Sequence, residues 1–357
     1  VTIGLILELP EDGSGTAVRL EERREGIEFA ARLLDCQLVV VTTRELLDPA
    51  SDAQARLAPT QVAWWLGRIT FLEESRSLAA RVSEIAPQLR LIDAPEAVEQ
   101  AYNLSLSYPH LARAGLPQPK TRFVALTPKE AAGTKDELAR LFARRLRWRW
   151  VRESFFRTYY GTRKLHPGLN LASSKARLCE GAAELVLALR DRQEIGGLAY
   201  RELLTIEEAW TEDRSACVML EYRVFAWGAR PLFWSLDIRL DSDRRAMDEG
   251  LRAACALTGP EQLQLQEWSA KAAAALEANF LVIDFARTRE RGLVLLEVNP
   301  GHSSGWGHPA AFLGVYGQVL CELAELPRRS PADLSALCAE AGYDGLETEG
   351  SLFGFFG

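Results

Sequence analysis

The run FLVIDFARTRERGLVLLEVNP, from Phe280 to Pro300, decides how this chain folds. Two apolar runs flank a polar stretch that ends at Arg291 and Gly292, so the segment reads as two antiparallel strands around a turn. Asp284 lies inside the first strand. Glu297 and Asn299 lie two residues apart in the second, which puts both on one face. If the strands pair about the turn, Asp284 reaches that face as well. An ionised Asp in an apolar strand is costly unless it meets a cation or hydrogen-bond donors. Three oxygen ligands without His or Cys favour Mg²⁺ over zinc, and Mg²⁺ would hold a polyphosphate during phosphoryl transfer. The spacing alone reads equally well as a turn cap at Asp284 with Glu297 and Asn299 as edge polar groups. GHSSGWGH, Gly301 to His308, follows directly. It reads either as a donor-rich loop whose amides hold a carboxylate or acyl-phosphate oxygen, or as a plain turn.

Upstream, VMLEYRVFAWGARPLFWSLDIRL, Val218 to Leu240, reads as two antiparallel strands turning at Gly228. Arg223 and Glu221 face one way, Tyr222 and Val224 the other. A buried face carrying Arg223 needs an anionic partner, either a ligand phosphate or Glu221 or Glu202. GGLAYRELLTI, Gly196 to Ile206, starts in a turn and becomes a strand. Arg144, Arg145, Arg147, Arg149 and Arg152 alternate with apolar residues, which predicts a strand from Leu146 to Glu153. Its basic face is solvated, or meets polyphosphate, or, least favoured, nucleic acid. TPKEAAGTKDELARLF predicts one helix opened by a Thr or by Pro128. Further helices are expected at Ser174–Leu189, Asp248–Leu257, Gln262–Glu277, Phe312–Leu326 and Pro331–Ala341. The closing LETEGSLFGFFG folds over the site or packs against the body.

Before Ala114 the rhythm differs. Thr2–Leu9, QLVVVTT, VAWWLG and LRLIDAP are short apolar strands alternating with helical segments, as in an α/β unit with a largely parallel sheet. AGLPQPKTRFV then breaks the alternation with two prolines that favour an extended connection.

With 357 residues, two or three packed units are expected rather than one core. A hydrophobic content of 48% suffices for them, and a formal charge of −7 offers no general attraction to nucleic acid or anionic membrane. No stretch is long enough to span a bilayer. The six cysteines form no close pair of metal-site spacing and read as small core residues. The opening residues lack a basic leader and a cleavage signal, so a reducing cytoplasm is the expected location.

Taken together, DFARTRERGLVLLEVNPGHSSGWG, AGLPQPKT, GGLAYRELL and EYRVFAWGARP resemble the ATP-grasp superfamily over roughly residues 112 to 326. The resemblance implies an N-terminal Rossmann-like α/β domain over 1–112. A two-lobed ATP-grasp unit with antiparallel sheets follows, its middle lobe over 113–205 and its C-terminal lobe over 206–357. It implies ATP and Mg²⁺, with Asp284, Glu297 and Asn299 as metal ligands. Arg201 and Leu204 would lie at the adenine-binding hinge, with Glu207 or Glu208 on the ribose. Arg223 and Arg239 would meet the phosphates or the acyl intermediate. Arg152 stands where most members use Lys, and Arg157 is a second basic candidate. Arg and Lys differ in shape and hydration, so this marks a divergent branch. The implied reaction activates a small-molecule or peptide carboxylate as an acyl phosphate and joins it to an amine. The rivals are a phosphotransferase and a catalytically weakened nucleotide-binding regulator. Neither nucleic acid nor membrane is an expected partner, and a homodimer is left open. Asp237 is a weak candidate for the general base, and Trp306, Phe233 and Trp234 for a substrate pocket.

Overall fold

The computed structural model describes residues 2–8, 15–67, 72–146, 154–159, 175–190, 196–214, 217–236, 249–276, 278–301, 312–327, 329–340, 342 and 353–356. Strands β1 (Thr2–Leu7), β2 (Gln37–Thr42), β3 (Val62–Leu66) and β4 (Arg90–Ile92) form a parallel sheet in the order β2-β1-β3-β4. Helices α1 (Gly15–Leu33), α2 (Thr43–Leu47), α3 (Ala53–Leu57) and α4 (Leu72–Ile85) lie between these strands in sequence. A parallel sheet must be covered on both faces, and the period of two sorts its side chains accordingly. Ile3, Leu5, Leu7, Trp64 and Leu66 join one core layer, while Ile6, Val41, Ala63 and Trp65 join another. Helix α5 (Pro95–Tyr102) opens on a proline in its first turn, and α6 (Leu104–Arg113) is capped by the Asn103 side chain.

The second sheet is antiparallel, in the order β5-β7-β6, from β5 (Thr121–Ala125), β6 (Ser154–Thr158) and β7 (Gly197–Glu202). Helices α7 (Pro128–Ala131), α8 (Lys135–Arg145) and α9 (Lys175–Leu189) accompany it. Their apolar faces close a core around Leu138, Phe142, Ala183, Val186 and Leu198. The single helix expected over TPKEAAGTKDELARLF is two. Thr127 with Glu130 and Thr134 with Glu137 each make a reciprocal capping box, so the second box restarts the helix after Gly133. Of the strand expected over Leu146–Glu153, residues 147–153 lie outside the described residues, and Leu146 is the C-cap of α8.

The third sheet carries the site. Strands β8 (Glu208–Trp210) and β9 (Cys217–Met219) form a small hairpin that the sequence reading passed over. Beyond it β10 (Glu221–Trp227), β11 (Arg230–Leu236), β12 (Phe280–Thr288), β13 (Gly292–Pro300) and β14 (Phe353–Phe355) form an antiparallel sheet in the order β13-β12-β10-β11-β14. Gly228 and Gly292 take φ of 53° and 65° at its two tight turns, a region L-residues other than glycine rarely adopt. The short C-terminal strand joins the sheet edge at β11. Helices α10 (Glu249–Cys255) and α11 (Gly259–Leu276) accompany the sheet, and the apolar side of α11 packs with Tyr222, Val224, Leu281, Ile283 and Phe285. The last expected helices fall close to the segments read for them, but the first opens with a π-helical stretch, Phe312–Gly317, before Gln318–Leu323.

The opposite face of this sheet meets the parallel sheet in one shared core. Trp64 lies edge-on to Phe280, Tyr316 and Trp227, with ring centroids 5.4, 5.7 and 6.0 Å apart. Beside this cluster, Asp93 accepts hydrogen bonds from Trp64 Nε1 (3.0 Å) and the Phe280 amide (3.1 Å). Gly301 is fixed by the same packing, because a Cβ there would sit 2.0 Å from Phe280 Cδ1. Phe233 and Trp234 are buried core residues, and Trp306 lies outside the described residues. Cys179, Cys255 and Cys321 are buried free thiols. No helix among the described residues is long and apolar enough to cross a membrane.

Candidate functional site

The chemistry converges on one row across the third sheet. Ser235 on β11 stands opposite Arg223 on β10, Arg223 opposite Asp284 on β12, and Asp284 opposite Glu297 on β13. Directly opposed residues share a face, so four strands bring these side chains together. Arg223 Nε donates to Asp284 Oδ1 at 2.9 Å. Asn299 Nδ2 lies 3.1 Å from Asp284 Oδ2 and 3.5 Å from Glu297 Oε1. Arg157, arriving from β6 of the second sheet, makes an ion pair of 2.5 Å with Glu297 Oε2.

A β-bulge sets this geometry. Asp284 pairs with Glu297, but Phe285 pairs with Leu295, which leaves Leu296 as the extra residue. Leu293 and Leu295 face the apolar layer that contains α11, and so does Val298. Without the bulge, Glu297 would continue the Leu293–Leu295 series into that layer. The extra residue reverses the alternation and delivers Glu297 and Asn299 to the side of Asp284. The proline-rich connection expected after Ala114 runs along the same strand, with the Leu295 amide donating to Pro117 O at 2.9 Å.

The bulge carbonyl is gripped from two sides. Tyr108 Oη donates to Leu296 O at 2.7 Å, and the Arg201 guanidinium donates to the same oxygen. Arg201 also lies over the Tyr108 ring, 5.5 Å from its centroid. Sequence reasoning placed Arg201 at a hinge and did not single out Tyr108. A charge inside the buried strand GLAYRE does ask for a partner, but nothing in LSLSYPHLAR marks its tyrosine.

Electrostatics follow from burial and arginines. Burial alone would raise the Glu297 carboxyl. Arg157 and Arg201, with hydrogen bonds from Arg157 and Asn299, outweigh it and hold the group below its ordinary value. Burial pulls Arg157 down, but Glu297 outweighs that and the guanidinium ends raised; Arg201, for which burial dominates, is lowered.

The other expected site residues divide. Leu204 is half-buried in the crossing between β7 and the isolated bridge that joins Ile206 to Thr288. Glu207 is half-buried there, its amide donating to Arg287 O, and Glu208 is exposed on the β8–β9 hairpin. Arg152, Asp237, Arg239, His302 and His308 lie outside the described residues. Among the described residues no group of three or more His, Cys, Asp or Glu side chains could hold a metal ion. The set at the row is smaller and different in kind, two carboxylates and an amide, all hard oxygen donors.

Residues 150–320 match a family model for an ATP-grasp domain, the third family of its clade. The fold resembles that of D-alanyl-alanine synthetase A from Vibrio cholerae, at a TM-score of 0.57 and 14% identity over 95% of this chain and 98% of that one. D-alanine–D-alanine ligase from Bacillus anthracis, solved with ATP, gives a TM-score of 0.57 at 11% identity over 96% and 100% of the two chains. The ATP-grasp ligase PsnB, solved with the precursor peptide PsnA2 and AMPPNP, gives 0.51 at 13% identity over 90% and 96%. At these identities the likeness is one of fold. No curated protein matches the sequence.

Proposed function

The chain belongs to the ATP-grasp superfamily, and from that premise we propose that it is an ATP-dependent carboxylate–amine ligase. A substrate carboxylate oxygen attacks the γ-phosphorus of ATP, and the bond to the β,γ-bridging oxygen breaks to release ADP. The amine nitrogen then attacks the acyl carbon of the acyl phosphate, phosphate departs, and the amine loses a proton. The amide product is the new bond.

The observation that carries this reading is the Arg223–Asp284–Glu297 row with Asn299 beside it and Arg157 above it. Two carboxylates and an amide oxygen fit Mg²⁺, which prefers hard oxygen ligands and keeps several waters. We assign them to that ion, which when bound neutralises charge on the β- and γ-phosphates. Arg157 and Arg223 are placed to exchange a carboxylate oxygen for a phosphate oxygen, since a guanidinium fork suits either. Asn299, bonded to both carboxylates, keeps them together. Arg152 and Arg239 are assigned to the phosphates and the acyl intermediate, Leu204 to the adenine edge and Glu208 to the ribose. The row stands on strands of a packed sheet, and positioning on rigid elements is the larger part of catalysis when no covalent nucleophile is needed.

The test is an ADP-release screen with Mg²⁺–ATP against pools of carboxylates and amines, with mass spectrometry of the product. ADP release that depends on both an acid and an amine, with an amide of matching mass, is the expected result. ADP release with a phosphorylated acceptor and no amide would replace the ligase by a phosphotransferase. Failure of the folded protein to bind Mg²⁺–ATP would remove the whole reading.

A further inference from the structure

We propose that Tyr108 is a positioning residue for the Glu297 carboxylate, acting through the bulge carbonyl of Leu296, so that the first α/β segment completes the site of the third sheet. The inference rests on the nucleotide and Mg²⁺ site proposed above.

A bulge frees one residue from the ladder, and its backbone needs another partner to hold one conformation. Leu296 finds that partner in Tyr108, whose hydroxyl donates to its carbonyl at 2.7 Å. The next residue along the chain is Glu297. Rotation of the Leu296–Glu297 peptide would turn the carboxylate away from Asp284, and the hydroxyl opposes that rotation. Arg201 supplies the second donor, and it is itself seated by the Tyr108 ring. Tyr108 is 6% exposed, edge-on to Phe123 at 6.1 Å, within a small core that also holds Leu104 and Tyr159. Its helix α6 is further tied to the second sheet by the Leu104 amide, which donates to Tyr159 O at 2.8 Å. Burial raises the phenol against the pull of Arg201 and Arg157, so the hydroxyl is a donor at neutral pH. One side chain thus joins three parts of the chain at the residue preceding a metal-assigned carboxylate.

Tyr108→Phe keeps the ring, the seat of Arg201 and the packing, and removes only the hydroxyl. ATP binding is measured by calorimetry over a Mg²⁺ series and again with the ion chelated, beside wild type and Glu297→Gln. Groups that orient a metal ligand alter metal affinity by ~10-fold or more. The Mg²⁺ concentration for half-maximal ATP binding should rise by about that factor in Tyr108→Phe, while Mg²⁺-free binding stays as in wild type. Arg201→Lys, which keeps the charge and loses the fork, should move the same midpoint and carries the test if Tyr108→Phe does not fold. An unchanged Mg²⁺ midpoint in Tyr108→Phe, with or without a fall in melting temperature, overturns the positioning role. If Glu297→Gln shifts the midpoint in that same experiment, the site itself stands. Absence of Mg²⁺-dependent ATP binding in wild type overturns both.

Discussion

Asp93 and Glu297 are two enclosed carboxylates that serve the same strand, and the fold treats them oppositely. Asp93 holds the first residue of β12 through the Phe280 amide, and Glu297 faces Asp284 further along it. Asp93 is met by neutral donors, the Trp64 indole and backbone amides, and burial raises its carboxyl to about 7. Glu297 feels the same desolvation, yet Arg157 and Arg201 hold it below its ordinary value. A carboxyl at the packing junction is thus easily protonated, while one in the row stays ionised. Dipoles suffice to fix a joint between sheets. A carboxylate that must trade partners with a cation needs full charges around it.

The sharpest way to break this contrast is Glu297→Gln. It removes the charge and keeps the shape, and turnover should fall by ~100-fold or more if Glu297 holds the ion, since even outer-shell changes cost 10–100-fold. Unchanged circular dichroism would exclude unfolding as the cause, and near-wild-type turnover would return Glu297 to an edge polar group. Tyr108→Phe should come next, with its ~10-fold shift in Mg²⁺ midpoint.

Arg157→Met sharpens the comparison by making Glu297 more like Asp93. With one guanidinium gone, burial gains weight and the carboxyl rises. The native group is depressed, so its contribution to stability is present above the unfolded value and is lost as pH falls through the lower folded one. In the variant that loss should begin at higher pH. The acid limb of Mg²⁺–ATP binding should move the same way, read by calorimetry from about pH 4 to 8.

Asp93→Asn attacks the other carboxylate. Its folded value is raised, so the folded chain holds more protons than the unfolded chain between about pH 4 and 7, and stability falls with rising pH across that window. The amide cannot accept from both donors with the same geometry. We expect a loss of about 1–3 kcal/mol near pH 4.5 and a flatter pH dependence of denaturation, with Mg²⁺–ATP affinity unchanged. A slope equal to wild type would show that Asp93 is not the group that titrates. The smallest effect is expected for Gly292→Ala, at the turn that sets the hairpin register. Nothing lies within 4 Å of an added Cβ, so only the positive φ is penalised, at about 1 kcal/mol in denaturant unfolding.

Much of this was legible in residue order. The hairpin around Gly292 and the turn at Gly228 followed from apolar runs around glycine. The alternation in EYRVF placed Arg223 opposite the side of Tyr222, where the structure has it. The parallel sheet followed from strands alternating with helices. Other features left no mark. LVLLEV is apolar at every position but one, so its period cannot reveal that Leu296 is a bulge. Gly301 read as loop flexibility, while the structure shows it pressed on Phe280. Asp93 read only as part of a strand end, because its donors come from residues 29 and 187 positions away.

The sequence by itself determined which segments become strands, which of them carry acids and arginines, and the kind of chemistry those groups allow. These depend on periods of two or on turn residues, which are local. Only the tertiary structure decided that Glu297 turns toward Asp284, that Tyr108 and Arg201 hold the bulge, and that Arg157 pairs with Glu297. Those contacts join residues far apart in the chain. Their existence depends on how three sheets pack, and no short stretch of sequence encodes that.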